Sequence, residues 1–160
     1  TAFAATGSKT EAPTAESNKK VEASNGSTVN TSSTGKATVT SVKKTTKKEV
    51  SISSKVEVNG KKYTVTRIEA KTFANAPKAT KVTLPSTITS LGAQAFTGAK
   101  SLKTIVIKST KAVKVNKDAF KGVNTKKVTI KVTSMSKKEL TAFKKQLKKA
   151  GFKGTVKLVK

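Results

Sequence analysis

The sequence lacks the residues on which several classes of protein depend. Its 160 residues include no cysteine and no histidine. A disulfide framework, a Cys/His metal site and imidazole acid–base catalysis are therefore excluded. Only 8 residues are Asp or Glu, and those beyond the N-terminal segment form no recognisable acid–base pair. We therefore expect no enzyme, no cofactor and no metal site.

Arginine, aromatic residues and long apolar runs are also scarce. Arg67 is the only arginine, tryptophan is absent and aromatic residues make up 4% of the chain. Sequence-specific nucleic-acid binding relies on arginine forks and stacked aromatic rings, so we do not expect it. No apolar run approaches the roughly 18 residues of a membrane-spanning helix.

Lysine is what the chain has in excess. Lys and Arg number 34, which gives a formal net charge of +26 at pH 7. Such a field attracts polyanions in general, including anionic wall polymers, acidic glycans and nucleic acid, without selecting one of them. Non-specific polyanion binding through the lysines is therefore one hypothesis for the function.

Residues 1–36 are predicted to be a secreted, disordered linker with a signal-peptide remnant. Ala2-Phe3-Ala4 has the small-residue pattern that signal peptidase cleaves, although an arbitrary fragment start explains it too. Residues 6–36 are rich in Ser, Thr, Ala, Asn, Gly and Lys. Such a segment buries too little apolar surface to offset the entropy of ordering it. We therefore expect the folded domain to cover residues 37–160.

Residues 66–132 contain a repeated apolar pattern. The first copy is Ile68, Phe73, Val82 and Leu84, the second is Leu91, Phe96, Ile105 and Ile107, and the third is Val115, Phe120, Val128 and Ile130. The second copy follows the first at an offset of 23 residues, and the third is less regular. The last two positions of each copy point to one side of a strand, and the phenylalanines should stack in one column within short helical turns. A repeat of this period predicts a solenoid.

Both flanks of the repeats carry signals of secondary structure. Asn59-Gly60 separates two alternating runs, which predicts a hairpin of strands 55–58 and 61–66 inside an N-terminal cap, residues 37–65. Ser136 and Glu139 form a capping box that starts a helix, and Gly151 ends it. The helix face opposite its apolar stripe is basic, so the helix either seals the solenoid within a C-terminal cap, residues 133–160, or docks on a membrane surface. A terminal strand after Gly151 should lie beside the third repeat.

The repeat also resembles a known family. The order Ile/Leu, four residues, Phe, eight residues, Val/Ile, one residue, Leu/Ile is similar to the BspA-type leucine-rich repeat of bacterial surface proteins over about residues 63–132. The family often has cysteine where this chain has Ala76, Ala99 and Val123, and these replacements preserve packing. The resemblance implies an α+β solenoid, a short leucine-rich-repeat stack of about three repeats with an N-terminal β-hairpin cap and a C-terminal helix-strand cap.

The same resemblance implies an extracellular, non-enzymatic binding or adhesion module. Its partner would be a protein or glycan of a host or neighbouring cell, or an anionic wall polymer, and the chain would be a monomer. The expected contact surface is the outward face of the repeat strands: Lys81, Thr83, Thr104, Val106, Lys108, Lys127, Thr129 and Lys131. These residues are equally interpreted as solvated strand positions in which lysines protect an edge.

Overall fold

The computed structural model describes residues 20–69 and 71–159, and in that part of the chain it shows strands and one α-helix. The strands are β1 (Lys20–Glu22), β2 (Thr28–Thr31), β3 (Lys36–Ser41), β4 (Glu49–Ser51), β5 (Lys55–Val58), β6 (Lys61–Ile68), β7 (Lys81–Leu84), β8 (Ser90–Leu91), β9 (Thr104–Ile107), β10 (Lys114–Val115), β11 (Thr129–Val132) and β12 (Thr155–Leu158). Helix α1 (Lys137–Lys149) precedes β12, and a 3₁₀ helix covers Thr125–Lys127. The expected signal-peptide remnant at Ala2-Phe3-Ala4 lies outside the described residues.

The strands form two sheets that face each other across the core. The first sheet has the order β1-β2-β3-β6-β8-β10, with β5 paired to β6, and the second has the order β12-β11-β9-β7-β4. All strand pairs of the second sheet are parallel. Each copy of the repeat supplies a four-residue strand to the second sheet, and β8 and β10 are two-residue strands of the first. The chain therefore winds as a coil that visits both sheets in turn.

The offset of 23 residues is the register between the first two coils. Val82 lies opposite Ile105 and Leu84 opposite Ile107 in the second sheet. Ile68 lies opposite Leu91 in the first sheet. All of these side chains are at most 1% exposed. The sequence periodicity therefore predicted the pairing of these coils correctly.

The phenylalanines of the three copies form one column through the core, as predicted. The rings of Phe73 and Phe96 are parallel within 9° with centroids 5.5 Å apart, and those of Phe96 and Phe120 are parallel within 8° at 5.2 Å. Phe152 adds a fourth ring, tilted by 47° and 5.2 Å from Phe120. Offset ring pairs at such distances contribute beyond the area they bury. The column thus continues past the repeats into the chain that follows α1.

The segments around these phenylalanines are consecutive turns, whereas short helical turns were expected. Ala74 N–H donates to the Lys71 oxygen and Ala76 N–H to the Phe73 oxygen, each at 3.0 Å and each between residues three apart. Lys71 and its counterpart Gln94 have positive φ values of 66° and 59°. A left-handed residue interrupts a right-handed helix, so the chain turns without continuing into one.

The third copy has a different register from the one predicted for its long strand. Ile130, rather than Val128, lies opposite Ile105, and Val132 lies opposite Ile107. The 3₁₀ helix Thr125–Lys127 lengthens the connection and moves the strand by two residues. Because side chains alternate with a period of two, this shift preserves which residues face inward. Val128 is therefore still buried, at 1% exposure.

The prediction of a disordered linker over residues 1–36 is wrong for residues 20–36. These residues include β1 and β2, which pair antiparallel with each other, and β2 pairs with β3. Val29 is fully buried and Ala23 is 4% exposed. The sheet supplies backbone partners and an apolar surface from elsewhere in the chain, so a few small apolar side chains are enough to order a polar segment.

The Asn59-Gly60 hairpin is confirmed. β5 and β6 pair antiparallel, with Val58 opposite Lys61 across a two-residue turn. Asn59 has a φ of 52° and Gly60 a φ of 80°. Positive φ at both central residues is the geometry of a type I′ turn, whose twist matches that of the strands.

The helix begins and ends as predicted, but only half of its capping box forms. The Ser136 side chain accepts a hydrogen bond from Glu139 N–H at 3.2 Å, and Gly151 follows the last turn with a φ of 79°. The Glu139 carboxylate accepts instead from Ala112 N–H at 2.8 Å. The Glu139 carboxylate therefore binds a backbone N–H of a neighbouring loop, whereas the capping box predicted that it would bind the backbone N–H of Ser136. After the helix, β12 pairs with β11, as expected.

Candidate functional site

The outward residues of the second sheet form two rows that run across all five strands. The first row is Glu49, Lys81, Thr104, Thr129 and Thr155, and the second is Ser51, Thr83, Val106, Lys131 and Lys157. Adjacent strands lie about 4.8 Å apart, so each row is roughly 19 Å long. We call these ten residues the row surface. It is a polar strip, and Glu49 and Ser51 at one end of it also line a cavity.

Six of the eight predicted site residues lie on the row surface. They are Lys81, Thr83, Thr104, Val106, Thr129 and Lys131, and all six are half-buried. Lys108 directly follows β9 and Lys127 lies in the 3₁₀ helix, so neither belongs to the rows, and both are exposed. The two-residue shift of β11 places Lys131, rather than Thr129, opposite Val106.

Hydroxyl groups and ammonium groups dominate the chemistry of the row surface. Glu49 is its only carboxylate, and its Oε1 lies 3.9 Å from Lys81 Nζ. The Glu49 side chain is 74% exposed and that of Lys81 is 44% exposed, so water screens this ion pair and it contributes little to stability. Lys131 and Lys157 lie side by side on neighbouring strands. The surface therefore offers several hydrogen-bond donors and a local excess of positive charge.

Sequence reasoning missed a cavity at the N-terminal end of the coil. Its volume is about 440 Å³, and β3, β4, β5 and the loop of residues 42–48 line it. Three lysines of that loop, Lys43, Lys44 and Lys47, are among its lining residues. The signal that could have indicated it is the run Lys43-Lys44-Thr45-Thr46-Lys47-Lys48, which lies between two aliphatic strands.

The exposed face of α1 is a second concentration of positive charge. Its lysines are all exposed, and they are Lys137, Lys138, Lys144, Lys145, Lys148 and Lys149. The opposite face of the helix is buried through Phe143 and Leu147. In the part of the chain that the structure describes, no helix is long and apolar enough to cross a membrane.

Comparison with known proteins identifies a family and two similar folds. The family model described as a BspA type leucine rich repeat region of six copies matches residues 66–160. A leucine-rich cell surface protein from Faecalibacterium prausnitzii is 22% identical, with a TM-score of 0.58 over 75% of this chain. A leucine-rich repeat protein from Bacteroides capillosus is also 22% identical, with a TM-score of 0.59 over 89% of this chain.

The two solved structures differ in how much of them this chain covers. The chain spans 34% of the Faecalibacterium prausnitzii protein and 100% of the Bacteroides capillosus protein. At 22% identity, both similarities concern the fold. No curated protein matches the sequence.

Proposed function

Because the chain belongs to the BspA-type leucine-rich repeat family, we propose that it is a binding module of the cell surface or extracellular space that recognises a protein or glycan with its row surface. The single observation that carries the proposal is the pair of ordered rows, which place ammonium and hydroxyl groups at the regular spacing of the strands. Solenoids commonly bind partners through such extended faces. The partner would be a molecule of a host or neighbouring cell.

We also propose how the two ends of the coil are covered. The hairpin β5–β6 would cap the first of about three coils, and α1 with β12 would cap the last. Glu139 and Gln146 of α1 support this, since their side-chain oxygens accept hydrogen bonds from Ala112 and Val115 N–H at 2.8 and 3.4 Å. A terminal layer without such a cover exposes its apolar core to water. We further propose that the module acts as a monomer.

The row surface can be tested with a charge variant and a matched control. Lys81, Lys131 and Lys157 are replaced together by alanine, and a control variant carries the same change at Lys137, Lys144 and Lys148 of α1. Both variants are assayed for binding to immobilised matrix glycoproteins and acidic glycosaminoglycans at low and high salt. We expect the row variant to lose about tenfold or more in affinity for the bound molecule, while the control loses little. Equal losses in both variants would contradict a site on the row surface.

A second candidate function is non-specific binding of polyanions. The observation that favours it is the exposed lysine face of α1, which adds to the overall charge of +26. Collective electrostatic binding predicts an affinity for any polyanion that falls steeply with salt. A partner held by shape and hydrogen bonds on the row surface retains measurable binding at high salt, so a salt titration separates the two functions.

A further inference from the structure

We propose that the cavity at the N-terminal end binds an extended peptide with alternating acidic and aliphatic side chains, which adds as a strand to the free edge of β4. The cavity volume of about 440 Å³ is within the range of ligand-binding pockets. This site meets the row surface at Glu49 and Ser51, which belong to both, but it does not depend on ligand binding to the rest of the rows.

The floor of the cavity is apolar. Val39, Val42, Ile52 and Val56 line it and are between 1% and 8% exposed, and Val50 beside them is half-buried. Four of these side chains belong to the core and Val50 packs against it, so the cavity lies directly over one end of the core. An apolar floor in an open cavity favours ligands with aliphatic groups, because their binding removes apolar surface from water.

One wall of the cavity is the edge of a sheet. β4 pairs with β7 and has no second strand partner among the described residues. Lys48 oxygen accepts from Lys81 N–H at 3.1 Å, and Ile52 N–H donates to Thr83 oxygen at 2.9 Å, so the backbone groups of these residues face β7. In a strand the intervening residues face the other way, which directs the backbone groups of Glu49 and Ser51 to the free edge. Such an edge is a template for another strand.

The rim of the cavity selects for negative charge. Lys43, Lys44 and Lys47 are exposed on the rim, where Glu49 is the only carboxylate among the lining residues. A second copy of this chain is a poor occupant, because two molecules of charge +26 repel each other. A strand that places aliphatic groups toward the floor and carboxylates toward the rim satisfies both surfaces, since side chains alternate along it.

The loop that carries these lysines is held by its backbone. Thr45 N–H donates to the Asn75 oxygen at 3.0 Å, and Asn75 Nδ2 donates to Ser41 Oγ at 2.8 Å and to Val42 oxygen at 3.2 Å. The stem of Lys43 passes so close to Gly26 that a Cβ there would lie 2.9 Å from its Cδ. Because the loop is already anchored, it loses less conformational entropy when a ligand binds.

The test uses the full chain and a short peptide of alternating glutamate and valine, with binding measured by calorimetry. Control peptides replace valine by serine or glutamate by lysine. We expect the glutamate–valine peptide to bind at least about tenfold more tightly than either control. The serine peptide lacks contacts with the apolar floor, and the lysine peptide lacks attraction to the lysine rim. Binding of the glutamate–serine peptide as tight as that of the glutamate–valine peptide would overturn the proposal in favour of charge alone.

A matched pair of charge-reversal variants locates the site. One variant replaces Lys43, Lys44 and Lys47 by glutamate, and the other makes the same change at Lys137, Lys144 and Lys148, which keeps the net charge equal. The first should lose about tenfold or more in affinity for the glutamate–valine peptide and the second should lose much less. In the unaltered chain, peptide binding should slow hydrogen exchange at the Glu49 and Ser51 amides. Equal losses in the two variants, or unchanged exchange at both amides, would place the peptide elsewhere.

Discussion

Two sheet edges of this molecule differ in how their backbone groups are satisfied. At the β10 edge of the first sheet, α1 supplies two side-chain oxygens, which accept from Ala112 and Val115 N–H. At the β4 edge of the second sheet, β7 is the only strand partner among the described residues, and a cavity with a lysine rim lies beside β4. Side-chain acceptors from α1 thus satisfy backbone donors at one edge, whereas the edge of β4 is where we propose that a peptide supplies the missing partner.

The largest effect on stability is expected from a change in the aromatic column of the core. Phe96→Ala deletes the middle ring of the aromatic column, which is fully buried between Phe73 and Phe120. The lost burial and the resulting cavity should lower the free energy of unfolding by about 3–5 kcal/mol, as measured by urea denaturation. Lys100→Ala, at an exposed position in the adjoining turn, is the control and should change it by less than about 0.5 kcal/mol. If Phe96→Ala lowered the free energy of unfolding as little as Lys100→Ala does, the continuous column would be contradicted.

An intermediate effect is expected at the closed edge. Glu139→Ala removes the acceptor of the Ala112 N–H, and a part-buried donor left without a partner should cost about 1–3 kcal/mol in unfolding free energy. Hydrogen exchange at the Ala112 amide should accelerate in the same variant. Glu139→Gln keeps an oxygen at this position and should recover most of the loss. If both variants were equally destabilised, the negative charge rather than the hydrogen bond would stabilise this edge.

The smallest effect on stability is expected at the open edge. Asn75→Ala removes two hydrogen bonds that anchor the lysine loop, but Asn75 is exposed, so water replaces much of what is lost. We expect a loss of about 0.5–1.5 kcal/mol in unfolding free energy, with faster exchange at the Thr45 amide. The affinity for the glutamate–valine peptide should fall as well. A fall in stability larger than that of Glu139→Ala would reverse the order of the two edges.

Local patterns in the sequence were enough to predict several parts of the fold. The pairing of Val82 with Ile105 follows from one period that recurs without insertion. The Asn59-Gly60 turn and the Ser136 N-cap depend on backbone geometry within a few residues of each other. Each of these features is decided over a short stretch of chain, so the residue types in that stretch determine it.

Other features could not be predicted because competing choices were equivalent in the sequence. Val128, Ile130 and Val132 are all apolar with a spacing of two, so a shift of two residues buries a similar pattern either way. The connection that contains the 3₁₀ helix determines which pair faces β9. Six of the eight predicted site residues nevertheless lie on the row surface, because that shift preserves the inward and outward faces.

The periodicity of the sequence was enough to predict a coil of short strands around a phenylalanine column, because it fixes which side chains are buried in each layer. Three other features arise from tertiary packing: the strands in residues 20–36, the hydrogen bond between Glu139 and Ala112, and the cavity beside β4. The bond of Glu139 spans 27 residues, and strands β1 to β3 join the rest of their sheet through the pairing of β3 with β6, so no local pattern encodes these contacts. The physical reason is that a backbone donor, a carboxylate or a small apolar side chain takes its partner from whatever the packed coil places next to it.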